Sequence, residues 1–272
     1  MKHRFAQSIP DKIIILIVAL IVITYFLFIT IPILAVFLRI EPSQVSAQIR
    51  NAGIIEAIKL SLITSGAATL IAFVLAVPSA YFMVTRNFPG KTILDTIMDL
   101  PIVLPPAVAG VALLYTFAPK GLLGPLFNKP GFIIPGSTIA VVIAETFVAS
   151  PFLFRSAKLG FENMDKDIIN SAKMLSGSRL RVFFTITFPL SIRAIISGTM
   201  MTWARAMGEF GATLMFAGNI AGITQTMPLA IYMFLYSDPL AGIMLSIILI
   251  IISFSILISV KLLEQKRFGT EK

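Results

Sequence analysis

Arg205 and Glu209 stand four residues apart inside a long apolar run. That spacing places both on one face of a helix. An ionisable group at membrane depth costs about 2.5–3.5 kcal/mol to insert, so such groups turn toward a bundle interior or water and pair. Two readings follow from the residues alone: a polar point beside a translocation path, or an ion pair that fixes packing within or between subunits. Glu145, in a separate apolar run, is open to the same two readings, and a pairing with Arg205 stays open too. Asp99 falls at the edge of a run, which suits a membrane boundary. The chain has no cysteine, which excludes a disulfide framework and a thiolate metal site. Its single histidine, His3, sits in a polar N-terminal tail, which argues against histidine-based catalysis. Gly90-Lys91-Thr92 has the ending of a phosphate-binding loop, but position 85, where an earlier glycine is needed, is Thr85. If ATP drives the process, a partner must hydrolyse it.

The elements that position these residues follow from composition. Of 272 residues, 57% are hydrophobic and 13% charged, whereas soluble domains carry about 25% charged residues. Long stretches have no charge at all, the mark of membrane spans. The fold class expected is therefore all-α, a polytopic membrane protein forming a single membrane domain over 1–272. Six spans are expected, at about 13–37, 60–85, 99–117, 137–155, 188–217 and 239–262. The first is too long for a signal-peptide core and is expected to be retained. "GIIEAIKLSL" (53–62) is either an interfacial helix or the first turn of the second span. The third span holds Pro101, Pro105 and Pro106. Proline kinks a helix, and lipid tolerates the freed backbone only where protein or water covers it, so this span is expected inside the bundle.

With both termini in the cytoplasm, the inner segments hold sixteen Lys and Arg and the outer segments five. That bias fixes the expected orientation and explains the net charge of +9 without nucleic acid. The segment between spans four and five is then cytoplasmic. Within it, Ile168, Ile169, Ala172 and Leu175 fall on one helical face, Asp165 and Asp167 suit the N-terminus, and Ser176-Gly177 supplies a stop. A helix over about 165–178 is expected, too short to stand alone and suited to docking. A basic, aromatic stretch from Arg179 to Phe188 returns the chain to the membrane, with Pro189 in the first turn of span five. Gly208, Gly211, Ala212 and Gly218 make that span small-sided, either for close packing or to leave room for a solute. Met200, Met201, Met207 and Met215 read as core filling, and Met227 and Pro228 fall in the outer loop, where a gate is one option.

"NSAKMLSGSRLRVFFTITFP" (170–189) resembles the EAA loop of binding-protein-dependent ABC importer permeases, E-A-A, three residues, Gly, nine residues, I-x-L-P. Asn170, Ser171 and Ala172 take the first three places, Ser176 the Gly place, and Ile186, Phe188 and Pro189 the end. The leading Glu is absent, and the glycine is displaced by one, to Gly177. "LPIVLPPAVAGVALL" (100–114) resembles sulfate, molybdate and tungstate permeases. "RAMGEFGATLMFAGNIAGITQTMPLAIY" (205–232) is most similar to the molybdate and tungstate members. The resemblance implies the type I ABC importer permease architecture and import of molybdate or tungstate by a homodimer. Two cytoplasmic ATPase subunits would hold ATP and Mg, an external oxyanion-binding protein would select the cargo, and this chain would bind no cofactor or metal and catalyse nothing. ATPase coupling would rest on Asp165, Ile168, Ile169, Asn170, Ala172, Leu175, Ser176, Gly177 and Arg179. The translocation path is assigned to Pro105, Pro106, Gly110, Glu145, Arg205, Glu209 and Thr213. One arginine beside Glu209 is a poor trap for a dianion, which favours a conduit over a tight site. Three alternatives remain: sulfate, thiosulfate or another oxyanion as cargo; an ion-coupled secondary transporter; and, least favoured, an intramembrane enzyme.

Overall fold

The structure, a computed structural model, describes residues 11–40, 51–127, 133–176 and 178–268, and no strand occurs among them. The chain divides into two compact units, Met1–Ser46 and Ala47–Lys272. In the first, α1 (Asp11–Phe37) is apolar all round, with Pro32 inside it.

The second unit opens with α2 (Ala52–Thr85). Asn51 caps it, its side-chain oxygen accepting the Gly53 N–H at 2.9 Å. The open question over 53–62 is settled: the segment is the start of one continuous helix. At 34 residues, α2 is about 51 Å long, well over the ~30 Å hydrocarbon core, so Glu56 and Lys59 in its first turns need not enter lipid. One face carries Ser61, Thr64, Ser65, Ala68, Ala72 and Ala76, all buried. Small residues at these spacings let a neighbouring helix approach closely. That neighbour is α5 (Thr138–Glu162), which packs along α2 on one side and along α7 (Phe188–Met207) on the other. A Cβ added at Gly160 would lie 2.7 Å from the Ala194 side chain, and one at Gly198 would lie 2.6 Å from that of Ser156. The contact between α5 and α7 thus requires glycine on both helices.

Between α2 and α5 lie α3 (Lys91–Val103) and α4 (Pro106–Phe117), bent by 114° at their junction. The span expected as one kinked helix over 99–117 is therefore two helices. Pro105 and Pro106 both lack the N–H that would carry the ladder through, and Pro105 instead offers its carbonyl to the N–H groups of Val108 and Ala109. After α5 comes α6 (Lys166–Ser176). The chain from Arg179 into α7 is already helical, through a π-helical turn at Phe183–Thr187. That turn places the Phe183 ring against Tyr81 (4.6 Å), Phe188 (5.9 Å) and Phe161 (6.3 Å).

The fifth span, expected over 188–217, stops at Met207 and resumes as α8 (Gly211–Ala217). The supposed outer loop also contains a helix, α9 (Met227–Ser237), before α10 (Pro239–Phe268). Pro228 sits in the first turn of α9, where its missing N–H breaks no hydrogen bond. Among the described residues, five helices are long and apolar enough to cross a membrane, and the number is six if the bent pair α3–α4 counts as one span. One apolar core joins α4, α5 and α8 around Ala109, Val141, Ala144, Ala212 and Phe216. Another joins α2, α5 and α7 around Val77, Met83, Leu153, Phe161 and Ile195.

Candidate translocation path and coupling helix

The two helical breaks meet. A Cβ at Gly211, the first residue of α8, would lie 2.8 Å from the Pro106 side chain at the start of α4. A Cβ at Gly110 would lie 2.6 Å from the Ala212 carbonyl oxygen and 2.7 Å from the Met215 Cβ. Approaches this close leave no room for a side chain on either helix.

Interrupting α7 frees backbone groups that a membrane interior cannot hydrate. Glu209 answers this from within the break. Its Oε1 accepts the Ala212 N–H of α8 at 2.8 Å, and its Oε2 lies 2.7 Å from Nη1 of Arg205 on α7. The second contact is ionic rather than an aligned hydrogen bond. Glu209 is 1% exposed and Arg205 29%, so the pair sits at the edge of the packed region with the guanidinium side open. One carboxylate therefore ties the end of one half-helix to the start of the next.

Glu145 does not join that pair, since Arg205 takes Glu209. Its Oε1 accepts the Thr64 hydroxyl of α2 at 3.0 Å, and its Oε2 is buried without a hydrogen-bond partner among the described residues. Thr213, on α8, is fully buried, and its hydroxyl likewise has no partner among the described residues. The structure thus gathers Pro106, Gly110, Arg205 and Glu209 at the crossing of α4 with the α7–α8 break. Pro105 caps α4 there, while Glu145 bridges α5 to α2 and Thr213 faces the interior.

A polar stripe on α2 had no place in the reading of the sequence. Ser61 Oγ accepts the Met227 N–H at 2.7 Å, holding the start of α9. Ser65 Oγ accepts the Trp203 indole N–H of α7 at 3.0 Å. The signal was present: Ser61, Thr64, Ser65 and Thr69 recur at helical spacing in an otherwise apolar run.

At the far end of α5, Arg155 pairs with Asp99 at 2.6 Å and Lys158 with Asp95 at 2.7 Å, with Glu162 3.9 Å away. Asp99 thus makes an ion pair on the outside of the helical packing.

Asp165 starts α6, its side chain accepting the Asp167 N–H at 2.8 Å and its carbonyl the Ile169 N–H at 3.4 Å. The face expected as a unit is divided. Ala172 is 7% exposed and turned into the chain, whereas Ile168 is 50% exposed, and Ile169 is intermediate. Met174, outside the expected set, is 88% exposed. Asn170, Leu175 and Ser176 lie on the helix and Arg179 just beyond it. Gly177, with the stop assigned to it, lies outside the described residues.

Long apolar helices, two of the spans broken where they cross, and an exposed amphipathic arm between spans define a multi-pass transport component. Residues 68–269 match the family described as binding-protein-dependent transport system inner membrane component, and the chain belongs to it. It is 36% identical over 235 residues to the molybdenum transport system permease protein ModB of Mycobacterium tuberculosis, covering 86% of this chain and 88% of that protein. It is 39% identical over 178 residues to ModB of Escherichia coli K12, covering 65% and 78%. Among solved structures, a chain of a bacterial alginate ABC transporter in complex with a pentasaccharide-bound periplasmic protein superposes with a TM-score of 0.72. It covers 96% of each chain at 15% identity. A chain of the inward-facing MetNI methionine ABC transporter gives 0.57, over 83% and 99%, at 13% identity. These two likenesses show the fold.

Proposed function

We propose that the chain is the membrane-spanning permease subunit of an ATP-driven importer of molybdate or tungstate, working as a single membrane domain in a homodimer. The observation that carries this reading is the identity to molybdenum permeases over 86% of the chain. An external oxyanion-binding protein delivers the cargo, and two cytoplasmic ATPase subunits bind ATP and Mg and supply the energy. The bias of Lys and Arg supports both termini lying in the cytoplasm, in the cell membrane. Coupling is assigned to α6 and its flanks. The path is assigned to the crossing of α4 with the α7–α8 break.

The test is uptake into proteoliposomes holding this chain, its ATPase and its binding protein, with labelled molybdate, tungstate and sulfate in competition. ATP-dependent uptake of the two heavier oxyanions is expected. Preference for sulfate would reassign the cargo, and uptake driven by an ion gradient without the ATPase would place the chain among secondary transporters.

A further inference from the structure

A groove of about 570 Å³ lies between the end of α5 and the start of α7, apart from the α4–α8 crossing. Its polar lining is Ser156, Asn163, Ser191, Arg193 and Ser197, and no carboxylate lines it. Ser156 donates to the Ala194 carbonyl at 2.7 Å, and Ser191 to the Met164 sulfur at 3.5 Å. Those hydroxyls are engaged. Arg193, Asn163 and Ser197 have no side-chain partner among the described residues.

The contrast with neighbouring cations is informative. Arg155 and Lys158, on another face of α5, are neutralised by Asp99 and Asp95, and Arg205 by Glu209. Arg193 alone among these cations faces a cavity without a countercharge. A planar guanidinium fork beside hydroxyl and amide donors suits a tetrahedral oxyanion. Arg193 precedes Arg205 by twelve residues on one continuous helix, about 18 Å along its axis. The net positive charge at Arg193 is therefore larger than that at the neutralised Arg205. Arg193 is exposed in the single chain, and an exposed charge, screened by salt, holds an anion weakly enough for release.

We infer that this groove is a low-affinity station for a tetrahedral oxyanion, with Arg193 as its charge and Asn163 and Ser197 as its neutral donors. The inference rests on the proposed import of an oxyanion. A lipid phosphate has the same chemistry, and the test separates the two sources.

The chain has no cysteine, so Arg193→Cys introduces its one thiol. The complete transporter carrying this variant is reconstituted in zwitterionic vesicles, with and without added anionic phospholipid. A cationic alkylthiosulfonate forms a mixed disulfide at the thiol, releasing a sulfinate, and restores positive charge. An anionic reagent fills the space with the wrong sign. Molybdate uptake by Arg193→Cys should fall about tenfold, the loss of one charged hydrogen-bonding group. The cationic adduct and Arg193→Lys should recover most of it, and the anionic adduct should not. In a second variant, Leu190→Cys, which keeps Arg193 and places the thiol in the same groove, molybdate should slow labelling in either membrane.

Wild-type uptake by Arg193→Cys would overturn the inference. So would labelling that molybdate leaves unchanged and anionic lipid slows, which would assign the groove to a headgroup. Failure of the import reading would show separately, as a wild type without oxyanion uptake, and the labelling arm would still decide what the groove binds.

Discussion

The α4–α8 crossing and the α6 arm both interrupt a membrane-type chain, in opposite ways. At the crossing the two breaks are held by contacts within the chain: Pro106 packs on Gly211, Gly110 on Ala212, and Glu209 ties Arg205 to the Ala212 N–H. On the arm, Asp165 closes the helix start and Ala172 is covered, but Ile168 and Met174 are left at 50% and 88% exposure. The first region is held by contacts within one chain, and the second presents apolar surface outward. A path must keep its geometry while solute passes. A coupling element must leave its contacts for a partner. Substitutions at the crossing should therefore register in stability, and those on the arm in coupling.

The largest effect is expected from Gly110→Val. Its side chain would meet backbone and the Met215 Cβ, and overpacking of that kind costs about 3 kcal/mol. Thermal unfolding in detergent should show a clear drop in Tm, and an unchanged Tm would mean the helices are free to separate. Next comes Glu209→Ala, which leaves Arg205 without its partner and the Ala212 N–H uncapped. A loss of about 2 kcal/mol is expected by the same measurement, with Glu209→Gln milder because an amide oxygen can still cap Ala212. Thr64→Val should cost about 1 kcal/mol, since it removes the hydroxyl that Glu145 accepts. Met174→Glu should lie within about 0.5 kcal/mol of wild type. It should nonetheless reduce co-purification of the ATPase, and a variant that folds and retains its ATPase would remove Met174 from the docking surface.

How much of this was legible in the sequence depends on whether the cause was local. The proline pair at 105–106 announces a break, but the 114° between α3 and α4 is also shaped by glycine contacts from a segment a hundred residues later. The break after Met207 was missed because the apolar run continues through it. Its contacts are local, Glu209 pairing with Arg205 four residues back and accepting from Ala212 three residues on, and the i,i+4 pair alone suits an uninterrupted helix equally well. The start of α6 was readable from Asp165 and the apolar period. Which side would be covered was not, because periodicity shows that a face exists and not what lies against it, and Ala172 turned inward. The start of α9 was signalled by Pro228, and a loop reading overrode it.

The most direct measurement sets uptake against ATP hydrolysis in the reconstituted transporter for Glu209→Gln and Met174→Glu. The expected result is a split: Glu209→Gln keeps ATPase binding and hydrolysis while uptake falls, and Met174→Glu loses hydrolysis and uptake together. Loss of ATPase binding in Glu209→Gln, or full coupling in Met174→Glu, would contradict the division between a self-contained path and an outward-facing coupling arm.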